Sequence, residues 1–353
     1  MKQNKHRLVS RRGQKYELDR HTWTTYKNFR NMYEHTYREM VEAGVAERLS
    51  HPIWMSREGK ECSQKDALGC MVTHKLCHPD RCFVGDEVGG NLSMKGYGHA
   101  GGKLLLTSNG SVPYEKSSST EKRFTMIGLT ALDGMPVLCV LIIQGVNRDL
   151  SVETGIDITI DPVGKSEEGD TYFFNNSGTG KYFPGPPVCK FRGKTIPALV
   201  RWNESATITS DILVEMLATL DVLQVIPRDD NIKPFLLIDG HKSRLETPFL
   251  EYINTPTDHW VVCLGVPYGT ALWQVGDSKE QNGSFNIALT KAKKELLDFK
   301  MRKMTDDASL KPTDLMPLIN TAWNANFPRQ SKNQNAIGKK RMVTSKLQSP
   351  NSS

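Results

Sequence analysis

Apolar residues in this chain fall into short runs with sharp polar ends. Four in a row, Phe235-Leu236-Leu237-Ile238, stop at Asp239-Gly240-His241. A run this short predicts a buried strand whose polar residues emerge at its C-terminal edge. Cys82-Phe83-Val84-Gly85 repeats the pattern and stops at Asp86-Glu87, after which Val88-Gly89-Gly90-Asn91 is expected to turn away. Phe124 to Leu132 and Val137 to Ile143 flank Asp133-Gly134-Met135-Pro136, a hairpin signal. Residues 103–107 are expected to add a strand before them, and Trp260 to Leu264 a further buried one. Helical spacing appears elsewhere. Trp23, Tyr26, Phe29, Met32, Tyr33, Tyr37, Met40 and Val41 predict a helix over 22–49 that ends before His51-Pro52. Ile208, Ile212, Met216 and Leu220 form one stripe over 205–220. Leu245, Phe249, Leu250 and Ile253 fit another helix, Ile287 to Leu297 a long lysine-rich one, and Leu315 to Trp323 a last one. Alternating strands and helices of this kind predict an α/β protein. The stretch 145–200 is rich in Gly, Pro, Asn and Thr, and reads as a loop-rich insertion.

Composition adds bounds. The 353 residues suffice for one large domain or two modest ones. No apolar stretch approaches the ~18 residues of a membrane span, and the basic N-terminus has no apolar core of a signal peptide. Seven cysteines, an odd number thinly spread, argue against a disulfide framework and fit a reducing interior. The formal charge of +7 is concentrated at the ends. Lys2, Lys5, Arg7, Arg11, Arg12 and Lys15 stand near one end, and Arg329, Lys332, Lys339, Lys340, Arg341 and Lys346 near the other, neither group with an acid among it. Such arms either stay solvated or contact nucleic-acid phosphates. Lys339-Lys340-Arg341 also suggests nuclear import.

Three stretches invite chemistry. Asn175 to Lys181 fails as a phosphate loop, because G-x4-G-K-[ST] is absent. Cys62, Cys70, His74, Cys77, His78 and Cys82 offer enough sulfur and nitrogen for a zinc ion, with Val72 and Leu76 suggesting a short helix. Their spacing matches no standard finger, so buried free thiols and ordinary histidines are expected. The third feature is a set of acids: Asp86 after an early strand, Asp239 after a central one, and Asp277 before the lysine-rich helix, with Glu280 three residues on. Hard divalent ions take carboxylate oxygens, and a pair of them can activate water and stabilise a leaving oxygen on phosphate.

At these acids the chain resembles the DDE superfamily of transposase-derived endonucleases, of the pogo and Tc1-mariner-related kind. The blocks that carry the resemblance are Phe83 to Gly89, Thr125 to Gly134, Leu237-Ile238-Asp239-Gly240-His241-Lys242-Ser243, and Val266 to Asp277. The resemblance implies an RNase H-like fold, a central mixed sheet flanked by helices, with the acids converging at one edge. It implies that Asp86, Asp239 and Asp277 hold two Mg²⁺ or Mn²⁺ ions, with Glu280 the alternative third ligand. It implies hydrolysis and strand transfer of DNA phosphodiesters, with His241, Lys242, Arg244 and Lys279 contacting DNA and Glu87 orienting groups nearby. Arg244 stands where the family usually has a second histidine. The expected organisation is a basic flexible arm over 1–21, a helical support region over 22–80, the catalytic domain over 81–304 with its insertion at 145–200, and an extension over 305–353 with a basic tail. DNA is the implied partner, a homodimer the implied assembly and the nucleus the implied location. The rival expectations are a catalytically inactive nucleic-acid-binding protein on the same fold, and a zinc-binding adaptor built on residues 62–82.

Overall fold

The computed structural model describes residues 24–56, 61–66, 71–92, 123–145, 187–255, 260–266, 279–303 and 314–327, the strands at 164–165, 172–175 and 182–184, and residues 22 and 310. The first helix, α1 (Tyr26–Glu42), is capped by Thr25, whose hydroxyl accepts from the Asn28 amide at 3.2 Å. It stops well before 49. Gly44 takes a left-handed φ of 71°. The Gly44 amide then donates to the Val41 carbonyl and the Val45 amide to that of Met40, each at 3.0 Å, a glycine-terminated helix end. A Cβ at Gly44 would also collide with the Asn231 carbonyl.

The chain then enters β1 (Ala46–Trp54), which pairs antiparallel with β2 (Met71–Leu76). Strands therefore occupy 46–54 and 71–76, where the spacing predicted the end of a helix and a short helix. His74 of β2 stacks on Tyr37 of α1, ring centroids 4.8 Å apart, which seats the pair on the helix.

The central sheet follows. β3 (Cys82–Val84), β4 (Glu87–Asn91), β5 (Arg123–Ala131), β6 (Pro136–Gln144), β12 (Leu199–Asn203), β13 (Phe235–Ile238) and β14 (Val261–Leu264) form it in the order β12-β6-β5-β3-β13-β14, with β4 also on β5. β5 and β6 make the expected hairpin. β3 runs antiparallel to β5 and parallel to β13, and β13 runs parallel to β14. Three antiparallel strands continued by two parallel ones beside the first make a mixed sheet, the RNase H-like arrangement. Residues 88–91 do not turn away. Val84 pairs with Thr130 and Glu87 with Ile127, so β3 and β4 are one strand in unchanged register, interrupted only at Gly85-Asp86.

β6 is buried along nearly its whole length, and β5 along most of it, which explains their unbroken apolar runs. α1 covers Val84, Leu132, Phe235 and Leu237 with Phe29, Met32 and Met40. Farther along that face lies the helix α5 over 315–327, whose Phe327 ring occupies the space a Cβ on Gly128 would take. The opposite face holds α2 (Ser210–Val222) and α3 (Thr247–Ile253). Trp260, packed on Phe83, donates its indole N–H to Asp221 of α2 at 3.0 Å, and Tyr252 of α3 donates its hydroxyl to the same carboxylate at 2.7 Å. The long helix α4 (Ser284–Arg302) is entered through a π-helical turn, Lys279–Gly283.

The insertion expected over 145–200 ends earlier than composition suggests. β10 (Val188–Phe191) and β11 (Lys194–Pro197) form a hairpin against β6, and β12 adds a parallel edge to the central sheet. Three short strands, β7 (Gly164–Lys165), β8 (Tyr172–Asn175) and β9 (Tyr182–Pro184), form a separate small sheet. Residues 103–107 lie outside the described residues. No described helix is long and apolar enough to cross a membrane.

Candidate active site

The strand register sets two of the three expected acids at equivalent strand ends. Val84 and Leu237 are partners on adjacent parallel strands, and Asp86 and Asp239 each stand two residues beyond. Side chains two apart on a strand share a face, and neighbouring strands lie about 4.8 Å apart. Asp86 and Asp239 therefore stand at equivalent positions past the ends of two adjacent strands. Asp86 occupies the break between β3 and β4, and Asp239 follows directly on β13.

The chain after Asp239 folds back at once. His241 caps a 3-10 turn over Lys242–Leu245, with its Nδ1 accepting from the Ser243 amide at 3.4 Å. That turn drives Arg244 inward, where its side chain is only 4% exposed. Arg244 Nη2 lies 2.7 Å from Glu87 Oε1 and 2.9 Å from Asp239 Oδ1. The Glu87 contact is a hydrogen bond. The Asp239 contact is an ion pair without hydrogen-bond alignment, so the buried Oδ1 has no donor aimed at it. Arg244 Nη1 donates to Ser243 Oγ at 2.5 Å. Arg244 thus faces carboxylates of its own chain, whereas the resemblance implied a phosphate contact.

The opening of α4 reaches the same edge. Asn282 Nδ2 donates to Asp86 Oδ2 at 2.9 Å, and Gln281 Nε2 donates to Thr130 Oγ1 at 3.2 Å. Both amides are buried and come from the π-helical turn. Extra residues in such a turn re-aim side chains, and these turns recur at functional sites.

Asp277 lies outside the described residues, as do the side chains of Lys242, Lys279 and Glu280. The third acid therefore stays an expectation. Sequence patterns alone did not expose Asn282 or the Glu87–Arg244 pair. An asparagine in a polar stretch carries no periodic signal, and both contacts join distant parts of the chain. The one available hint was Glu87 beside Asp86 on a strand edge.

The described members of the 62–82 cluster are not gathered. His74 stacks on Tyr37, while Cys82 is fully buried within β3. Burial pushes the Cys82 thiol well up, away from the thiolate that zinc requires. Cys70 lies outside the described residues. Among the described residues no three His, Cys, Asp or Glu side chains are grouped as a metal would need.

No family model matches the chain, and no curated protein matches it. Solved structures do. A Mos1 mariner paired-end complex with Mn aligns over 75% of this chain and 54% of its own, at 9% identity and a TM-score of 0.36. A Mos1 strand transfer complex aligns over 75% and 56%, at 10% identity and 0.31. A pre-cleavage Mos1 transpososome aligns over 94% and 67%, at 9% identity and 0.33. The chain thus spans little more than half the length of the first two.

Proposed function

We propose that this chain is a transposase-derived endonuclease of the DDE type, related to the pogo and Tc1-mariner group, that cleaves DNA phosphodiesters with a divalent metal. The observation that carries this reading is the placement of Asp86 and Asp239 at equivalent positions on adjacent parallel strands. What supports a hard cation there is the chemistry of the donors, two carboxylates at equivalent strand ends, with Asp239 Oδ1 buried and facing an ion-paired arginine. Asp86 and Asp239 would hold Mg²⁺ or Mn²⁺, with Asp277, or Glu280 in its place, as the third ligand. A metal held there supplies Lewis acidity to the attacking water or 3′-hydroxyl and to the leaving oxygen. The chain's own residues fix the ligands. Asn282 holds one oxygen of Asp86 in place, and Arg244 with Glu87 fixes the rotamer of Asp239. Lys242, Lys279 and exposed His241 supply contacts to the DNA backbone in this reading, and the nucleus and a homodimer are its implied location and assembly.

One observation favours a second reading, a DNA-binding protein without turnover: an arginine of the chain itself stands 2.9 Å from Asp239. Nicking of supercoiled plasmid in Mg²⁺ and Mn²⁺ separates the two. The endonuclease reading expects nicking by the wild-type chain and none by Asp239→Ala. Retention of DNA at moderate salt with no nicking by either protein would favour the binding-only reading.

A further inference from the structure

Arg244 touches its acids in an unusual way. A single nitrogen, Nη2, sits between carboxylate oxygens from two different strands, 2.7 Å from Glu87 and 2.9 Å from Asp239. That is the position a bridging cation takes between carboxylates. The side chain is 4% exposed and is held from behind by Ser243 Oγ, so it is not a surface arginine that swung in. Its Nε is buried with no partner, a cost that a purely structural arginine avoids by saturating carbonyls.

Among the described residues Asp86, Glu87 and Asp239 stand near one guanidinium, and Asn282 adds a neutral donor.

We propose that Arg244 is a resident cation of the site, standing in for one divalent metal, so that the folded chain takes up a single Mg²⁺ or Mn²⁺ where the resemblance implies two. Arg244 acts as a positioning residue for Asp239 and limits metal occupancy through it. This rests on the metal-binding reading of the Asp86 and Asp239 edge.

The test is a Mn²⁺ titration of the full chain, free Mn²⁺ being read by its electron paramagnetic resonance signal, for the wild type and Arg244→Gln. The expected result is one tightly bound ion per wild-type chain and two per variant. Overall Mn²⁺ binding should tighten on the order of tenfold, the scale on which groups bonded to metal ligands tune affinity. Mn²⁺ should also raise the Tm of Arg244→Gln more than that of the wild type, which a loss of packing alone would not produce. Should Arg244→Gln fail to fold, Arg244→Lys keeps a charge but loses the fork, and its Mn²⁺ affinity should exceed that of the wild type by severalfold. Two ions on the wild type, or equal binding by wild type and variants, would overturn the proposal while leaving the metal site standing. No Mn²⁺ on any of the proteins would overturn both.

Discussion

Two buried arginines brace this sheet, and they differ in what they hold. Arg81 precedes β3 and is 7% exposed. Its Nη1 donates to the Ile232 carbonyl at 2.6 Å and its Nη2 to that of Pro227 at 3.0 Å, with Asp229 no nearer than 4.0 Å. It fastens the loop before β13 to the start of β3. Arg244, at the other end of the same strand pair, is similarly buried but donates to the Glu87 carboxylate and ion-pairs with that of Asp239, side chains that are 34% and 26% exposed. Carbonyls carry no net charge and attract no competitor strongly. Carboxylates at an open edge do. Burial alone therefore does not distinguish a structural arginine from one in a site; the chemistry of its partners does.

The contrast can be broken or sharpened by substitution. The largest expected effect is on activity: Asp239→Ala should lower plasmid nicking in Mn²⁺ by roughly 10³-fold or more, because it removes a proposed metal ligand. Next, Arg81→Met should lower unfolding free energy by about 2–4 kcal/mol in a denaturant titration, since two charge-assisted hydrogen bonds to the Ile232 and Pro227 carbonyls are lost. Its Mn²⁺ binding should not change. Arg244→Gln should cost less, about 1–3 kcal/mol without metal, because water can reach the carboxylates it leaves, and added Mn²⁺ should recover much of that loss. If Arg81→Met altered metal binding as much as Arg244→Gln did, the distinction between the two arginines would fail.

The smallest effect concerns Lys293 of α4, which is fully buried and donates to the Asn91 carbonyl. Burial pulls its ammonium down from 10.5 to about 8. The folded chain then binds fewer protons than the unfolded one between those values, so this residue costs stability below pH 8, and the cost fades as pH rises toward 10.5. The cost is at most about 3 kcal/mol. Lys293→Met should flatten the rise in stability across that pH window relative to the wild type. Its gain at pH 7 should be smaller than the full cost, because Asn91 loses a donor. A parallel pH dependence in both proteins would show that Lys293 is not its source.

Much of the scaffold was legible because burial on both faces writes itself as unbroken apolar runs. Phe235–Ile238 and Val261–Leu264 are such cases, and so are β5 and β6. Amphipathic stripes did the same for α2 and α4. β1 was not legible: Ala46-Glu47-Arg48-Leu49-Ser50-His51-Pro52-Ile53-Trp54 has no alternation, and its strand form comes from pairing with β2. Gly44 marks the true end of α1, and taking His51-Pro52 as the stop made the expected helix too long. Gly89 and Gly90 disguised β4 as a turn. There Gly90 is needed for packing, since a Cβ would come within 2.5 Å of the Phe124 ring. Asp86 and Asp239 were legible as strand-end acids. The partners that shape them were not, because Glu87 and Arg244 are 157 positions apart and Asp86 and Asn282 are 196 apart.

In the proposed reading Asp86 and Asp239 together hold a divalent cation. Crystals of the full chain grown or soaked with Mn²⁺, examined by anomalous scattering at the manganese edge, test it most directly. A manganese peak bonded to both carboxylates is the expected result. A map with no peak at that edge, or with manganese bound only elsewhere, would contradict it.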